Sequence, residues 1–151
     1  MAMQNKFYYK SPIGILEIEL RNDTIQRLRV VESCSNISER SGYFEEVAKQ
    51  LDEYFAGKRT KFELNIYPKG TEFQKKVWAE LLKISYGKTK SYQEIAEAIG
   101  NTNAQRAVGS ACSKNSILLI IPCRRVISKY GKLAGFACGL DVKQKLLNIE
   151  N

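Results

Sequence analysis

Cys123 is the side chain in this sequence best placed to do chemistry. It follows Pro122 at the end of an unbroken apolar run over residues 117–121 and precedes Arg124 and Arg125. Neighbouring cations favour thiolate, the form of cysteine that attacks carbon. As residues alone, the pattern also describes inert packing, the commoner fate of a buried cysteine. The chain has no histidine, so the usual general base of Cys-His and Ser-His-Asp hydrolases is missing. Cys34, Cys112, Cys123 and Cys138 include no Cys-x-x-Cys pair, so no structural zinc clip is expected.

The elements that must hold such a site are legible in the second half of the chain. Ser/Thr followed three residues later by Gln/Glu satisfies two orphan donors at a helix start, and the pattern occurs three times. Thr71 with Gln74 opens a helix with Phe73, Val77 and Leu81 on one face. Ser91 with Glu94 opens one with Ile95 and Ile99, and Gly100 stops it. Thr102 with Gln105 opens one carrying Ala104, Ala107, Val108 and Ala111. The last two are close enough to form a candidate helix-turn-helix. Arg106, Gly109, Ser110 and Ala111 give the third helix a small-residue face that either approaches another surface or packs closely in a core. The run 117–121 predicts a buried strand.

Upstream, Leu16, Ile18 and Leu20 alternate with Glu17 and Glu19, then Arg21-Asn22-Asp23 leads into the β-rich stretch 24–31. This predicts a β-hairpin. A polar loop covers residues 33–42, and Tyr43, Val47, Leu51 and Tyr54 recur at helical spacing until Gly57. Tyr67-Pro68-Lys69-Gly70 marks a boundary between residues 1–69 and 70–151.

Charge divides at the same point. Of 151 residues, 1–70 carry eleven basic and ten acidic side chains, and 71–151 carry thirteen and six. A basic C-terminal half predicts a polyanionic partner, most commonly nucleic acid, although a solubilising surface has the same composition. A hydrophobic content of 44% is enough for a packed core. No apolar run reaches the roughly 18 residues of a membrane helix and no signal-peptide core opens the chain. A soluble cytoplasmic protein with no membrane partner is expected.

The motif 121–126, Ile-Pro-Cys-Arg-Arg-Val, closely resembles the active-site motif of the O6-alkylguanine-DNA alkyltransferases, usually Pro-Cys-His-Arg-Val, and differs at Arg124. The resemblance extends through Gly70-Thr71-Glu72-Phe73-Gln74, Val77-Trp78, Tyr86-Gly87-Lys88-Thr89, Ser91-Tyr92, Arg106-Ala107-Val108-Gly109, Asn115 and Glu150. Before residue 70 it is carried by Ser11-Pro12-Ile13-Gly14 and general layout. It implies an α+β protein with an N-terminal ribonuclease-H-like α/β domain and a C-terminal helix-turn-helix domain of winged-helix character.

The resemblance also implies a function: stoichiometric transfer of an alkyl group from O6-alkylguanine in double-stranded DNA to the protein's own cysteine, with base flipping and without a cofactor. Cys123 would be the acceptor, Glu150 the carboxylate that orients the motif side chain, and Asn115 the brace of the turn. Tyr92 would help rotate the nucleotide and donate to a guanine ring nitrogen, while Arg106 fills the vacancy in the duplex. Ala104, Ala107, Gly109, Ser110 and Arg125 complete the implied DNA-binding set. Val126, Phe136, Ala137, Leu118 and Lys143 line the implied pocket, with the carbonyls of Cys123 and Val126 accepting from the guanine amino group and the amide of Ala137 donating to O6. Cys34, Cys112 and Cys138 are expected to be ordinary reduced thiols.

Two residues depart from the family pattern. Arg124 stands where the relay histidine is usual, and arginine is no base near neutral pH. Phe136 stands where many members carry tyrosine. A fixed cation about 5 Å from sulfur, at an effective dielectric near 20, contributes on the order of 3 kcal/mol. Arg124 is therefore expected to activate Cys123 by charge, less whatever Glu150 takes back. The alternatives are a damage-binding relative that does not transfer the alkyl group, and a dimeric helix-turn-helix regulator. No dimerisation segment is evident, so a monomer is expected.

Overall fold

The computed structural model describes residues 5–128 and 139–151. The chain divides into two compact units, Met1–Pro68 and Lys69–Asn151, and is mixed α/β.

In the first unit, β1 (Lys6–Ser11), β2 (Gly14–Arg21) and β3 (Thr24–Val31) form an antiparallel sheet in that order. The β2–β3 hairpin turns on Asn22 and Asp23, whose φ values of 51° and 56° are both left-handed, the conformation that a two-residue hairpin turn needs and that Asn and Asp tolerate. The hairpin was expected, but β1 was not. It is short, carries Lys at positions 6 and 10, and buries only Tyr9 fully. Pairing of Phe7 with Ile18 and of Tyr9 with Leu16 supplies what its own pattern lacks. Helix α1 (Gly42–Phe55) covers one face: Phe44 stacks on Phe7 with ring centroids 4.8 Å apart, and Tyr9 donates to Asp52. Leu16, Ile18, Ile25, Leu28, Val47, Leu51 and Tyr54 complete this core.

In the second unit, α2 (Glu72–Leu81) and α3 (Tyr92–Ala98) both start with complete capping boxes, Thr71/Gln74 and Ser91/Glu94. The third expected box does not form. Helix α4 (Gln105–Ser113) begins after Ala104, with no side-chain cap. Asn101 takes over this turn: its carbonyl accepts from Ala104 N and its side chain from Asn103 N, leaving Thr102 outside the helix. Gly70 has a packing reason to lack a side chain, since a Cβ there would lie 2.6 Å from the Trp78 ring.

The run 117–121 is buried, as expected, but is a turn and not a strand. Ile121 N donates to Ile117 O and Ile120 N to Leu118 O, so part of its backbone bonds locally, and only Ile117 forms a β-bridge. Leu119 adopts φ 73° inside it. A single 3-10 turn follows at Cys123–Arg125, then β5 (Val126–Ile127), which pairs in parallel with β4 (Lys90–Ser91). Helix α5 (Leu140–Ile149) ends at Glu150. No helix among the described residues is long and apolar enough to cross a membrane.

Candidate active site

Asn115, just beyond α4, organises the turn that presents the cysteine. Its Oδ1 accepts from Ile117 N at 2.9 Å, and its Nδ2 donates to Ile121 O at 2.8 Å and to Cys123 Sγ at 3.3 Å. One amide side chain therefore closes the 117–121 turn and aims a donor at the sulfur. Only an amide combines an acceptor with two N–H donors in this way.

Cys123 is 4% exposed. Burial pushes its thiol pKa up, opposed in decreasing order by the Asn115 hydrogen bond and the charges of Arg124 and Lys143. This corrects the expectation of a thiol made acidic by its cationic neighbours: the cations act in the expected direction, but desolvation of the thiolate outweighs them. With its pKa pushed above the ordinary value, the resting group at neutral pH is the thiol.

Arg124 is equally enclosed. Its Nε donates to Glu150 Oε2 at 2.6 Å and its Nη1 to Leu119 O at 2.8 Å. Arg125 donates from Nε to Glu150 Oε1 at 2.8 Å and from Nη1 to Ile84 O at 2.7 Å, with its guanidinium 5.8 Å from the Tyr86 ring centroid. Arg125, expected to contact DNA, is thus a buried structural cation, because Glu150 and the Ile84 carbonyl compensate its charge inside the unit. Glu150 itself is 5% exposed despite standing next to the last residue. It also accepts from Gly87 N at 3.4 Å, while Tyr86 donates to Ile149 O at 3.0 Å.

The β4–β5 pairing, Lys90 with Val126 and Ser91 with Ile127, sets Tyr92 at the start of α3 beside the strand that leaves the cysteine turn. Burial first, then the neighbouring Cys112 and Cys123, pushes the Tyr92 phenol up to about 12, so it is a donor at neutral pH. Lys143 is fully buried, donates from Nζ to Val126 O at 2.6 Å, and lies 5.8 Å from the Tyr92 ring centroid. Leu118 is buried in the turn.

The structure therefore brings together Cys123, Asn115, Arg124, Glu150, Val126, Lys143 and Tyr92. On α4, Arg106, Ala107 and Ser110 are exposed and Gly109 is half-buried, whereas Ala104 is buried at the helix start and packs inward instead of facing a partner. Ala111 belongs to the core as well, its carbonyl receiving Trp78 Nε1 at 2.9 Å. Phe136, Ala137 and Cys138 lie outside the described residues. Cys112 is buried behind the site, its thiol raised to about 12 by desolvation and then by Cys123. Its sequence context marks it as nothing more than an ordinary thiol. No cluster of three or more His, Cys, Asp or Glu suited to a metal occurs among the described residues.

Two family models match the chain: the ribonuclease-like domain of 6-O-methylguanine DNA methyltransferase over residues 6–68, and its DNA-binding domain over residues 72–151. A methylated-DNA–protein-cysteine methyltransferase of Methanosarcina barkeri is 44% identical over 147 residues, covering 93% of each chain. The crystal structure of the O6-methylguanine methyltransferase of Mycobacterium tuberculosis matches with a TM-score of 0.87 at 40% identity, over 97% of this chain and 92% of that one. The structure of Mycobacterium tuberculosis OGT in complex with DNA matches with a TM-score of 0.88 at 41% identity, over 96% and 91%. With both halves of the chain matched and the buried Cys123 turn braced by Asn115, the protein belongs to the 6-O-methylguanine DNA methyltransferase family.

Proposed function

We propose that this protein repairs O6-alkylguanine in double-stranded DNA by moving the alkyl group onto Cys123, once per molecule. The observation that carries the reading is the Asn115 Nδ2 to Cys123 Sγ contact of 3.3 Å inside a buried turn, in a chain of this family. An N–H aimed at sulfur holds it in place and stabilises the thiolate as charge develops there.

The chemistry is a displacement at the alkyl carbon. A carbon–sulfur bond forms and the carbon–O6 bond breaks, while the thiol proton is lost and guanine regains one in returning to its keto form. Tyr92, protonated at neutral pH, supplies a hydrogen bond to the leaving base. Because Arg124 cannot take the proton, the Asn115 donor and the buried cations support the thiolate electrostatically, and a pocket filled by the base keeps that support undiluted by water.

A base within the stack cannot reach a sulfur that is 4% exposed, so the target nucleotide is flipped. Helices α3 and α4 act as the helix-turn-helix, with the small exposed residues Ala107 and Ser110 of α4 allowing close approach to the minor groove and Arg106 filling the gap in the duplex. The basic second unit gives salt-sensitive, largely sequence-independent binding. The test is stoichiometry: with excess O6-methylguanine duplex, guanine should be restored to about one equivalent of protein and then stop. Continued turnover contradicts the proposal, as does binding without restoration.

A further inference from the structure

The turn that leads into the cysteine contains a leucine in a conformation that leucine avoids. Leu119 adopts φ 73° and, among the described residues, is the one left-handed residue that is neither glycine nor a turn-forming Asn or Asp. For a bulky side chain this backbone is disfavoured by about tenfold or more, so its surroundings must hold it. The side chain is buried, and the carbonyl accepts from Arg124 Nη1 at 2.8 Å. Asn115 grips the two ends of the same turn, at Ile117 N and Ile121 O, and Ile121 O also accepts from Cys123 N at 2.9 Å. Arg124 therefore holds the middle of a turn whose ends are tied to the nucleophile. Its Nε is fixed at the same time on Glu150 Oε2 at 2.6 Å, so one guanidinium spans from the end of α5 to the apex of the turn.

We propose that Arg124 is a positioning residue that acts through Leu119: its guanidinium fork holds the left-handed turn in which the Asn115 amide meets the Cys123 sulfur. This rests on the reading of Cys123 as the alkyl acceptor. Two peptide units separate Leu119 from Ile121, so a Leu119 that relaxes to an ordinary backbone shifts the Ile121 carbonyl, and with it the Asn115 Nδ2 that points at Sγ. The residue after the nucleophile thus serves as a strut, a task that needs both arms of a planar, rigid group. An ammonium at the same place would give the sulfur a comparable field without the fixed fork that spans Glu150 and Leu119.

The experiment is a double-mutant cycle of Arg124→Lys and Leu119→Gly. It is read on transfer from an O6-methylguanine duplex and on Cys123 carboxamidomethylation by iodoacetamide, which needs no DNA. Arg124→Lys keeps the charge and should still slow both reactions about tenfold. Glycine adopts the left-handed turn without strain, so in the Leu119→Gly background the same substitution should cost less than about threefold. Packing lost with the leucine side chain is common to both arms of the cycle and cancels. Equal costs in the two backgrounds overturn the proposal, as does an Arg124→Lys protein that reacts at the wild-type rate. A wild type that reacts with iodoacetamide but not with the duplex contradicts the alkyl-transfer reading instead, and the iodoacetamide cycle still decides the role of Arg124. If Arg124→Lys alone does not fold, urea unfolding of the double variant decides. Recovery of a cooperative transition on adding Leu119→Gly supports the strut, because a glycine at a core position otherwise lowers stability, and no recovery overturns it.

Discussion

Arg124 Nε meets Glu150 Oε2 at 2.6 Å with both side chains sealed from solvent, so the residue after the nucleophile is tied to the end of the last helix. Arg125 occupies the other carboxylate oxygen at 2.8 Å. Two buried cations on one carboxylate are tolerable because the Leu119 and Ile84 carbonyls take up further guanidinium N–H groups. The arrangement cements the Cys123 turn, α5 and the segment around residues 84–87.

Removing the shared carboxylate should be costly. Glu150→Gln takes from two buried guanidinium groups the carboxylate they share, a loss on the order of 3–5 kcal/mol. Thermal or urea unfolding of the variant should show a markedly lower midpoint. A midpoint within a degree or two of wild type would mean that water already reaches the pair.

Stability should fall on the alkaline side. Cys112 is raised from 9.0 to about 12 and Tyr92 from 10.0 to about 12, with Cys123 shifted the same way. Between the ordinary and raised values the folded protein keeps protons that the unfolded chain has released, so stability declines as pH rises from about 9 towards 12. Urea midpoints measured across that range should drop steadily, and less steeply in Cys112→Ala once its own neutral-pH loss is subtracted. A flat profile would refute the burial-driven shifts.

Gly70→Ala tests the packing at the start of the second unit. Its Cβ would sit 2.6 Å from Trp78 and 2.7 Å from Gln74 Oε1, displacing a buried ring and half of the α2 capping box. The expected loss is about 1–3 kcal/mol, read by chemical denaturation, and an unchanged stability would show that the ring moves aside freely.

Arg106→Ala should impair repair of duplex DNA by at least tenfold while barely changing reaction with free O6-benzylguanine base, since only the duplex has a vacancy to fill. Equal losses on the two substrates would assign Arg106 to general phosphate binding.

Much of this architecture could be read from residue patterns because the interactions are local. The capping boxes at Thr71 and Ser91, the Asn22-Asp23 turn and the α1 periodicity all lie within a few residues of sequence. What could not be read depends on distant partners. β1 becomes a strand through β2, Thr102 loses its helix start to Asn101, and the 117–121 run bends into a turn because Asn115 closes it. Arg125 entered the DNA-binding set through the family resemblance, and the positions of Glu150 and the Ile84 carbonyl turn it inward. The likeness to a known family pointed to Cys123, Asn115, Tyr92 and Glu150. The balance of burial against charge at the sulfur needed the three-dimensional surroundings.

The central claim is that Cys123 accepts the alkyl group. Peptide mapping by mass spectrometry after incubation with an O6-methylguanine duplex measures it directly. The account predicts one added methyl group, on the peptide containing Cys123, and none in Cys123→Ser. A methyl group on Cys112 or Cys138, or a wild-type protein whose mass is unchanged while it binds the duplex, would contradict it.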